Sequence, residues 1–267
     1  MTRIVNNCVA LVCLCLFWGQ SLRAADASHS EQIKWGNESV FNEEHNTLGL
    51  FSGVLGGQIV LAGGTSDDYS RWGRNAVCLS ENAGFALYED VLSKPLAYGA
   101  SITLSDGILC IGGRDSSQCY EDVFFVTMQQ GKLNVSEDWP PLPFPLSNAA
   151  GALLDNKVYL FGGRKSVSPS RLSDSFFVLD LSNKSRGWKE LPGYPGCVRE
   201  DAILVVQNNG VSPCLYLLGG QTETEEGLSS CLTDGYVYNP QLGKWSSLGS
   251  DFPKGICAAV ASGANHI

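Results

Sequence analysis

One short pattern occurs four times in this chain: an apolar, strand-like stretch runs directly into two glycines. The copies are QIVLAGG at 58–64, GILCIGG at 107–113, KVYLFGG at 157–163 and CLYLLGG at 214–220. Their second glycines fall at Gly64, Gly113, Gly163 and Gly220, so the spacings are 49, 50 and 57 residues. A period near fifty residues indicates that one structural unit is repeated along the chain.

Each repeat contains the same parts in the same order. A strand of small residues comes first, at 98–104, 148–154 and 200–206. The Gly-Gly strand follows, and then an aspartate leads a third strand at 121–126, 173–181 and 233–240. A tryptophan closes the unit at Trp139, Trp188 and Trp245. This order and period are those of the kelch repeat, in which each unit is one blade of a β-propeller.

The predicted fold class is therefore all-β, a kelch-type β-propeller with four recognisable blades and a partial fifth. Two places depart from the repeat. In the first blade Asp90 and Tyr98 are only eight positions apart and no closing tryptophan follows, which predicts a missing or displaced outer strand. The sequence after Phe252 supplies only the inner strand of a fifth blade. Because propellers close a ring to remove exposed sheet edges, this predicts either a truncated product or a ring completed by a further copy or another chain.

The N-terminus carries an unbroken apolar run from Cys8 to Trp18, preceded by Arg3 and followed by small residues near Ala24. Eleven residues are too few to span a bilayer as a helix, so the pattern indicates a secretory signal peptide rather than a membrane anchor. The predicted domains are a signal peptide at 1–25, a lead-in segment at 26–47 and the incomplete propeller at 48–267. The predicted location is secreted or periplasmic, with no membrane association after signal cleavage.

Charge and cysteine content narrow the function. The formal net charge of −9 disfavours nucleic acid as a partner and is compatible with a small neutral or sugar-like ligand.

Seven cysteines remain after the predicted signal peptide, so at least one is unpaired, and Cys110–Cys119 and Cys214–Cys231 are candidate disulfides. Small buried apolar residues are an equally good interpretation of most of them. With three histidines and no C-x-x-C, a metal site is not expected. Glycosylation sequons occur at Asn37, Asn134 and Asn183.

The blade sequences resemble the cyclically permuted mutarotases, kelch-repeat relatives of bacterial N-acetylneuraminate epimerase. The resemblance covers roughly residues 48–262. It rests on GLFSGVLGGQIVLAGG (49–64), LAYGASITLSDGILCIGG (96–113), LPFPLSNAAGALLDNKVYLFGG (142–163) and LPGYPGCVREDAILVV (191–206). It implies a six-bladed propeller of which this chain holds four blades and part of a fifth. It also implies interconversion of sugar anomers, for sialic acid the α and β forms, by acid/base ring opening that needs no metal or redox cofactor.

The resemblance and the repeat together predict a sugar-binding set. The residues directly after each Gly-Gly are Thr65, Arg114, Arg164 and Gln221, and arginine suits a sugar carboxylate because it binds bidentately. Starts of inner strands add further candidates. The predicted substrate-binding residues are Tyr98, Arg114, Asn148, Arg164, Arg199 and Gln221.

No catalytic residue is carried over from the family. The proposed acid/base glutamate of the sialic acid mutarotases directly follows a blade's glycine position, and by blade order it falls in the blade that this chain lacks. Glu200 and Asp201 are the nearest carboxylates, and a structural role is the stronger interpretation of both.

Two alternatives to a mutarotase remain at this point. The first is a catalytically inactive kelch propeller that binds glycan or protein, and it predicts binding without anomer exchange. The second is a copper-radical oxidase, which also uses kelch blades but needs clustered tyrosine, histidine and cysteine ligands. It is disfavoured because His29, His45 and His266 all lie outside the complete blades.

Overall fold

The computed structural model describes residues 48–80, 84–224, 227–249, 251–259 and 261. Four antiparallel sheets of four strands follow one another along the chain. Blade 1 contains β1 (Phe51–Leu55), β2 (Gln58–Ala62), β3 (Ala76–Ser80) and β4 (Gly84–Tyr88). Blade 2 contains β5 (Ala100–Thr103), β6 (Ile108–Ile111), β7 (Val123–Gln129) and β8 (Lys132–Ser136).

Blades 3 and 4 each carry an additional two-stranded ribbon after the second strand. Blade 3 runs through β9 (Ala150–Leu154), β10 (Lys157–Phe161), the ribbon β11 (Arg164–Ser166) and β12 (Arg171–Leu172), then β13 (Phe176–Asp180), the 3₁₀ helix η1 (Leu181–Arg186) and β14 (Lys189–Glu190). Blade 4 runs through β15 (Ile203–Asn208), β16 (Pro213–Leu218), the ribbon β17 (Gln221–Glu223) and β18 (Ser229–Cys231), then β19 (Gly235–Asn239) and β20 (Lys244–Ser247). The structure confirms the predicted kelch-type propeller and its four blades.

The core lies between neighbouring blades. The second strands of blades 2 and 3, β6 and β10, are apolar on both faces because each packs against a blade on either side, and all four residues of β6 are buried. Phe51 of blade 1 packs edge-to-face on Phe124 of blade 2 at 5.3 Å between ring centroids. Trp245 of blade 4 lies 5.0 Å from the ring of Phe176 in blade 3. Apolar and aromatic burial between blades therefore holds the propeller together.

The glycine pairs mark the point where each second strand leaves its sheet. Gly162 and Gly163 have φ of +66° and +93°, a region that L side chains rarely adopt. A Cβ on Gly163 would lie 2.5 Å from the backbone oxygen of Ser147, which leads into β9 of the same blade. The N–H of Gly163 donates to the carbonyl of Arg199, and Gly113 donates equivalently to Leu146. Glycine is needed here because two backbones meet with no room for a side chain.

The first blade differs from the prediction, because β4 is its complete outer strand. The prediction treated Asp90 as the residue that leads the third strand. In the structure Asn75 holds that place, since its carbonyl accepts from Gly63 as that of Asp122 accepts from Gly112. Tyr88 ends β4 and packs on the core between blades 1 and 2, the kind of position that tryptophan takes elsewhere.

The segment after blade 4 begins like a further repeat. Ile256 accepts from Gly220 and donates to Leu232, and Ala258 donates to Asp201. A disulfide joins Cys257 to Cys231, with 5.7 Å between their Cα atoms. This corrects both predicted pairings: Cys110, Cys119 and Cys214 are free thiols buried as small apolar residues.

Several predictions fall on residues outside the described part of the chain. These are the signal peptide at 1–25, the lead-in segment at 26–47 and the three histidines. Within the described residues, no helix has both the length and the apolar character needed to cross a membrane.

Candidate functional site

Equivalent residues at the starts of successive inner strands form a chain of hydrogen bonds around the propeller centre. Tyr98 donates its backbone N–H to Gly49, Asn148 to Tyr98, Asp201 to Asn148 and Ala258 to Asp201, at 2.7–3.0 Å. All five have positive φ, between +50° and +64°. The bonds hold each of these residues in the left-handed conformation, so their positions are fixed by backbone from neighbouring blades.

These residues line a central cavity of about 200 Å³. Its wall is largely glycine and alanine, as expected where inner strands crowd together. The polar side chains among its lining residues belong to three blades and are those of Tyr98, Asn148 and Asp201. Two of the three, Tyr98 and Asn148, belong to the predicted sugar-binding set.

Asp201 is held by two amide groups from other parts of the chain. Asn148 Nδ2 donates to its Oδ1 at 2.9 Å, and Gln221 Nε2 donates to its Oδ2 at 2.9 Å. Burial raises the pKa of Asp201 above its ordinary value, and the negative charge of Glu200 adds to the rise. The two amide bonds and the Arg164 charge oppose the shift without cancelling it. The cavity therefore contains a carboxyl group that takes up a proton more readily than a solvated aspartate.

Arg114 lies beside the cavity against two aromatic rings. Its guanidinium carbon is 4.6 Å from the ring centroid of Tyr98 and 5.1 Å from that of Trp72. Within the described part of the chain its guanidinium makes one hydrogen bond, a long one of 3.4 Å to the carbonyl of Asp115, and takes part in none of the ion pairs. A guanidinium has five N–H donors, so most of them remain available to an anionic ligand.

Arg164, in contrast, is occupied by neighbouring carboxylates. Its Nε and Nη2 donate to Glu200 at 2.8 and 2.5 Å, and Nη2 also reaches Glu223 at 3.1 Å. Gln221 Nε2 contacts the same Glu200 at 3.3 Å. Arg164 thus lies next to the Asp201 network, where it neutralises Glu200.

The structure gives Arg199 a different place from the predicted one. The prediction aligned it with Tyr98, but the residue equivalent to Tyr98 is Asp201, two positions later. Arg199 instead takes the place of Leu96 and Leu146, whose carbonyls accept from the second glycines of the preceding repeats. Its side chain is fully buried, as are those leucines.

All the donors of Arg199 are used within the protein. Nη1 and Nη2 donate to the two oxygens of Asp234 at 2.7 and 2.8 Å. Nη1 also donates to Gly219 and Nε to Tyr194 Oη, at 2.7 and 2.8 Å. Arg199 therefore joins Gly219 and Asp234 of blade 4 to Tyr194, in the segment that precedes β15, and its side chain does not reach the cavity.

The structure brings together five of the six predicted residues: Tyr98, Asn148, Arg114, Arg164 and Gln221. Each of them contacts another member of the set or one of the two carboxylates, Glu200 and Asp201. Sequence reasoning gave Asp201 too little weight. Asp201 can be identified from the sequence because it holds the position in its repeat that Tyr98 and Asn148 hold in theirs. The longer segment before it, at residues 191–200, makes this correspondence hard to see. Among the described residues, no cluster of histidine, cysteine and carboxylate side chains is suited to bind a metal ion.

Comparisons with known proteins agree with this architecture. The sequence profile of the N-acetylneuraminate epimerase family matches residues 139–266. An N-acetylneuraminate epimerase of Yersinia pestis is 30% identical over 129 residues, which is 48% of this chain and 30% of that protein. The Haemophilus influenzae enzyme of the same name is 31% identical over 131 residues, or 49% of this chain and 32% of that protein.

Two further matches concern the fold. A Vibrio cholerae protein named as a Kelch domain-containing protein is 31% identical over 121 residues, 45% of this chain and 31% of that one. The solved structure titled "Structure of YjhT" superposes with a TM-score of 0.64 at 14% identity, covering 81% of this chain and 74% of that one. The aligned part is about a third of each curated relative's length. Residues 139–266 therefore resemble the N-acetylneuraminate epimerases in sequence, and the described residues share the fold of the solved structure.

Proposed function

We propose that this protein is a sugar mutarotase of the N-acetylneuraminate epimerase type, which speeds the interconversion of sugar anomers. The observation that carries the proposal is the central cavity, which Tyr98, Asn148 and Asp201 line, with Gln221 bonded to Asp201 and Arg114 beside the ring of Tyr98. These groups can bind a small polyhydroxylated ring. The family matches supply the reaction type.

The reaction requires few functional groups from the protein. Ring opening needs one proton placed on the ring oxygen and one removed from the anomeric hydroxyl, and ring closure reverses both transfers on the other face of the carbonyl carbon. A side chain that exchanges protons near neutral pH is sufficient. The neighbouring hydrogen-bond donors position the sugar, and no redox step is involved.

We further propose that the sugar carries a carboxylate, which Arg114 binds. Its guanidinium carbon lies within 4.6 Å of the Tyr98 ring centroid and 5.1 Å of that of Trp72, so little side-chain freedom is lost when a ligand binds. The aromatic rings also offer an apolar surface to one face of a sugar ring, while Tyr98 lines the cavity itself.

The second candidate is a propeller that binds sugar without catalysing exchange. The observation that favours it is that the four positions after the Gly-Gly pairs hold Thr65, Arg114, Arg164 and Gln221, so none of them supplies a glutamate as the acid/base group. This candidate predicts sugar binding with no gain in the anomeric exchange rate.

Proton NMR of N-acetylneuraminate separates the two candidates. Saturation transfer between the α and β signals gives the exchange rate, and line broadening gives binding. We expect Arg114→Gln to weaken binding by about 10- to 100-fold, the range for one lost hydrogen bond to a charged group. The exposed Arg186→Gln, on η1, is the matched control and should bind as the wild type does. Equal binding by Arg114→Gln and wild type would rule out Arg114 as the carboxylate anchor.

We also propose that the protein is exported. The apolar run of residues 8–18 supports a cleaved signal peptide, and the Cys231–Cys257 disulfide suits an oxidising compartment. Expression with its native leader followed by N-terminal mass analysis tests this. A mature N-terminus near residue 25 is expected, and retention of residues 1–25 on a reduced, intracellular protein would contradict it.

A further inference from the structure

We propose that Asp201 is the proton-transfer group of the central cavity and donates the proton that opens the sugar ring. This inference rests on the proposed mutarotase function. It assigns the chemistry to a residue at the start of an inner strand, whereas the resemblance places the family's acid/base group directly after a glycine position.

The position of Asp201 is fixed from both backbone and side chain. Its N–H donates to Asn148 and its carbonyl accepts from Ala258, at 3.0 and 2.9 Å. Its two carboxyl oxygens each accept one amide bond, from Asn148 and Gln221. A carboxyl group has about four lone-pair positions, so each oxygen retains one for a ligand or a proton. The group is therefore oriented without being saturated.

The charges around Asp201 favour the protonated form. The charged and titratable groups that act on it are Glu200 and Arg164, and Tyr98 lies near enough for their charges to interact. Arg164 is bonded to Glu200 and Glu223, and none of the ion pairs found in the described part of the chain includes Asp201. Burial without a direct counter-ion disfavours the ionised form of a carboxyl group, which agrees with the raised pKa of Asp201.

Glu200, the adjacent carboxylate, cannot take the same role. Its side chain is only 4% exposed, and both of its oxygens bind Arg164. It does not line the cavity, whereas Asp201 does.

The step balances with this one group. The Asp201 carboxyl gives its proton to the ring oxygen as the bond between that oxygen and the anomeric carbon breaks. The electron pair of the breaking bond stays on the ring oxygen, which becomes a hydroxyl. The anomeric hydroxyl becomes a protonated carbonyl and loses its proton to the Asp201 carboxylate. Rotation about the bond to the carbonyl carbon presents its other face, and the reverse sequence closes the ring as the other anomer.

The test compares two aspartates with the same backbone conformation. Asp201 has φ of +52°, and Asp155, in the exposed turn between β9 and β10, has φ of +49°. Asparagine tolerates this conformation, so Asp201→Asn and Asp155→Asn make the same chemical change inside and outside the cavity. We expect Asp201→Asn to lower the protein-dependent exchange rate by about 100-fold or more, with Asp155→Asn unchanged.

Two further measurements separate proton transfer from structure. Line broadening should show that Asp201→Asn still binds N-acetylneuraminate, and thermal unfolding should show that it is folded. The wild-type exchange rate, after subtraction of the buffer rate, should fall as pH rises above the pKa of Asp201, because the acid form is lost. The residual rate of Asp201→Asn should lack this dependence, and Asp201→Glu should restore part of both the rate and the pH profile.

The outcomes are distinct. Exchange by the wild type that persists in folded Asp201→Asn, or that rises with pH as for a general base, overturns this inference and leaves the mutarotase proposal standing. A wild type that binds sugar but gives no exchange above the buffer rate overturns both.

Discussion

Replacing Arg199 should destabilise the protein strongly while leaving sugar binding intact in whatever fraction folds. We consider Arg199→Leu, because Leu96 and Leu146 occupy the equivalent slots in blades 2 and 3 and leucine therefore fits the local backbone. The substitution removes a fully buried guanidinium that is bonded to Asp234, Tyr194 and Gly219.

The size of the stability loss depends on the charge that Arg199→Leu leaves without a partner. Removing one partner of a buried ion pair costs about 3–5 kcal/mol, because the other charge loses its compensation. The Asp234 side chain keeps 27% of its surface exposed, so water can rehydrate its carboxylate. The cost should therefore lie at the lower end of this range, and we expect the free energy of unfolding to fall by about 3 kcal/mol.

A second substitution distinguishes the ion pair from simple packing. Asp234→Asn added to Arg199→Leu removes the uncompensated charge, so the double variant should recover part of the lost stability. Urea unfolding followed by tryptophan fluorescence measures all three proteins, with exposed Arg186→Leu as the control. A double variant no more stable than Arg199→Leu, or an Arg199→Leu as stable as the wild type, would refute the reasoning.

The Arg199–Asp234 ion pair also predicts that the stability of the protein depends on pH. Burial opposes ionisation of Asp234, but the hydrogen bonds and charge of Arg199 outweigh it and lower the pKa of Asp234 below its usual value. A lowered pKa in the folded state contributes stability above the unfolded value of about 3.9, and that stability is lost as pH falls through the folded value. The stability difference between wild type and Arg199→Leu should therefore narrow below about pH 4.

Two further predictions concern the backbone and the disulfide. Gly163 and Gly210 share a φ of +93°, but a Cβ would meet the Ser147 carbonyl only at Gly163, with open space around Gly210. Gly163→Ala should therefore lower the free energy of unfolding by at least about 2 kcal/mol and Gly210→Ala by about 1 kcal/mol, and equal losses in urea unfolding would contradict the crowding argument. Reduction of Cys231–Cys257, which are 26 residues apart, should lower stability by about 2–4 kcal/mol, whereas a Cys257→Ser variant should show no response to reductant.

The repeat made most of the fold predictable from the sequence. The Gly-Gly strands, the small-residue inner strands and the closing tryptophans reflect requirements of every blade, so their periodicity is visible in one chain. The outer strand of blade 1 was wrongly predicted because GFALY, at residues 84–88, lacks the tryptophan that marks the other blades. Asn75 also replaces the aspartate that marks their third strands.

The site was less predictable because it depends on register. Arg199 and Asp201 differ by two positions, and that shift decides which side chain enters the cavity and which enters the core between blades. Asn148, 53 residues from Asp201, lies in blade 3. Gln221, 20 residues from Asp201, pairs with Glu200 in blade 4, so blade packing and strand pairing together bring the three side chains into contact. The disulfide was missed for a related reason, since Cys257 reaches Cys231 only after the chain passes beyond blade 4.

The most direct test of the proposed function is the anomeric exchange rate of N-acetylneuraminate measured by saturation-transfer NMR at increasing protein concentration. The proposal predicts a rate that rises linearly with wild-type and Asp155→Asn protein and stays near the buffer rate with Asp201→Asn. An exchange rate equal to that of buffer at every wild-type concentration would contradict it.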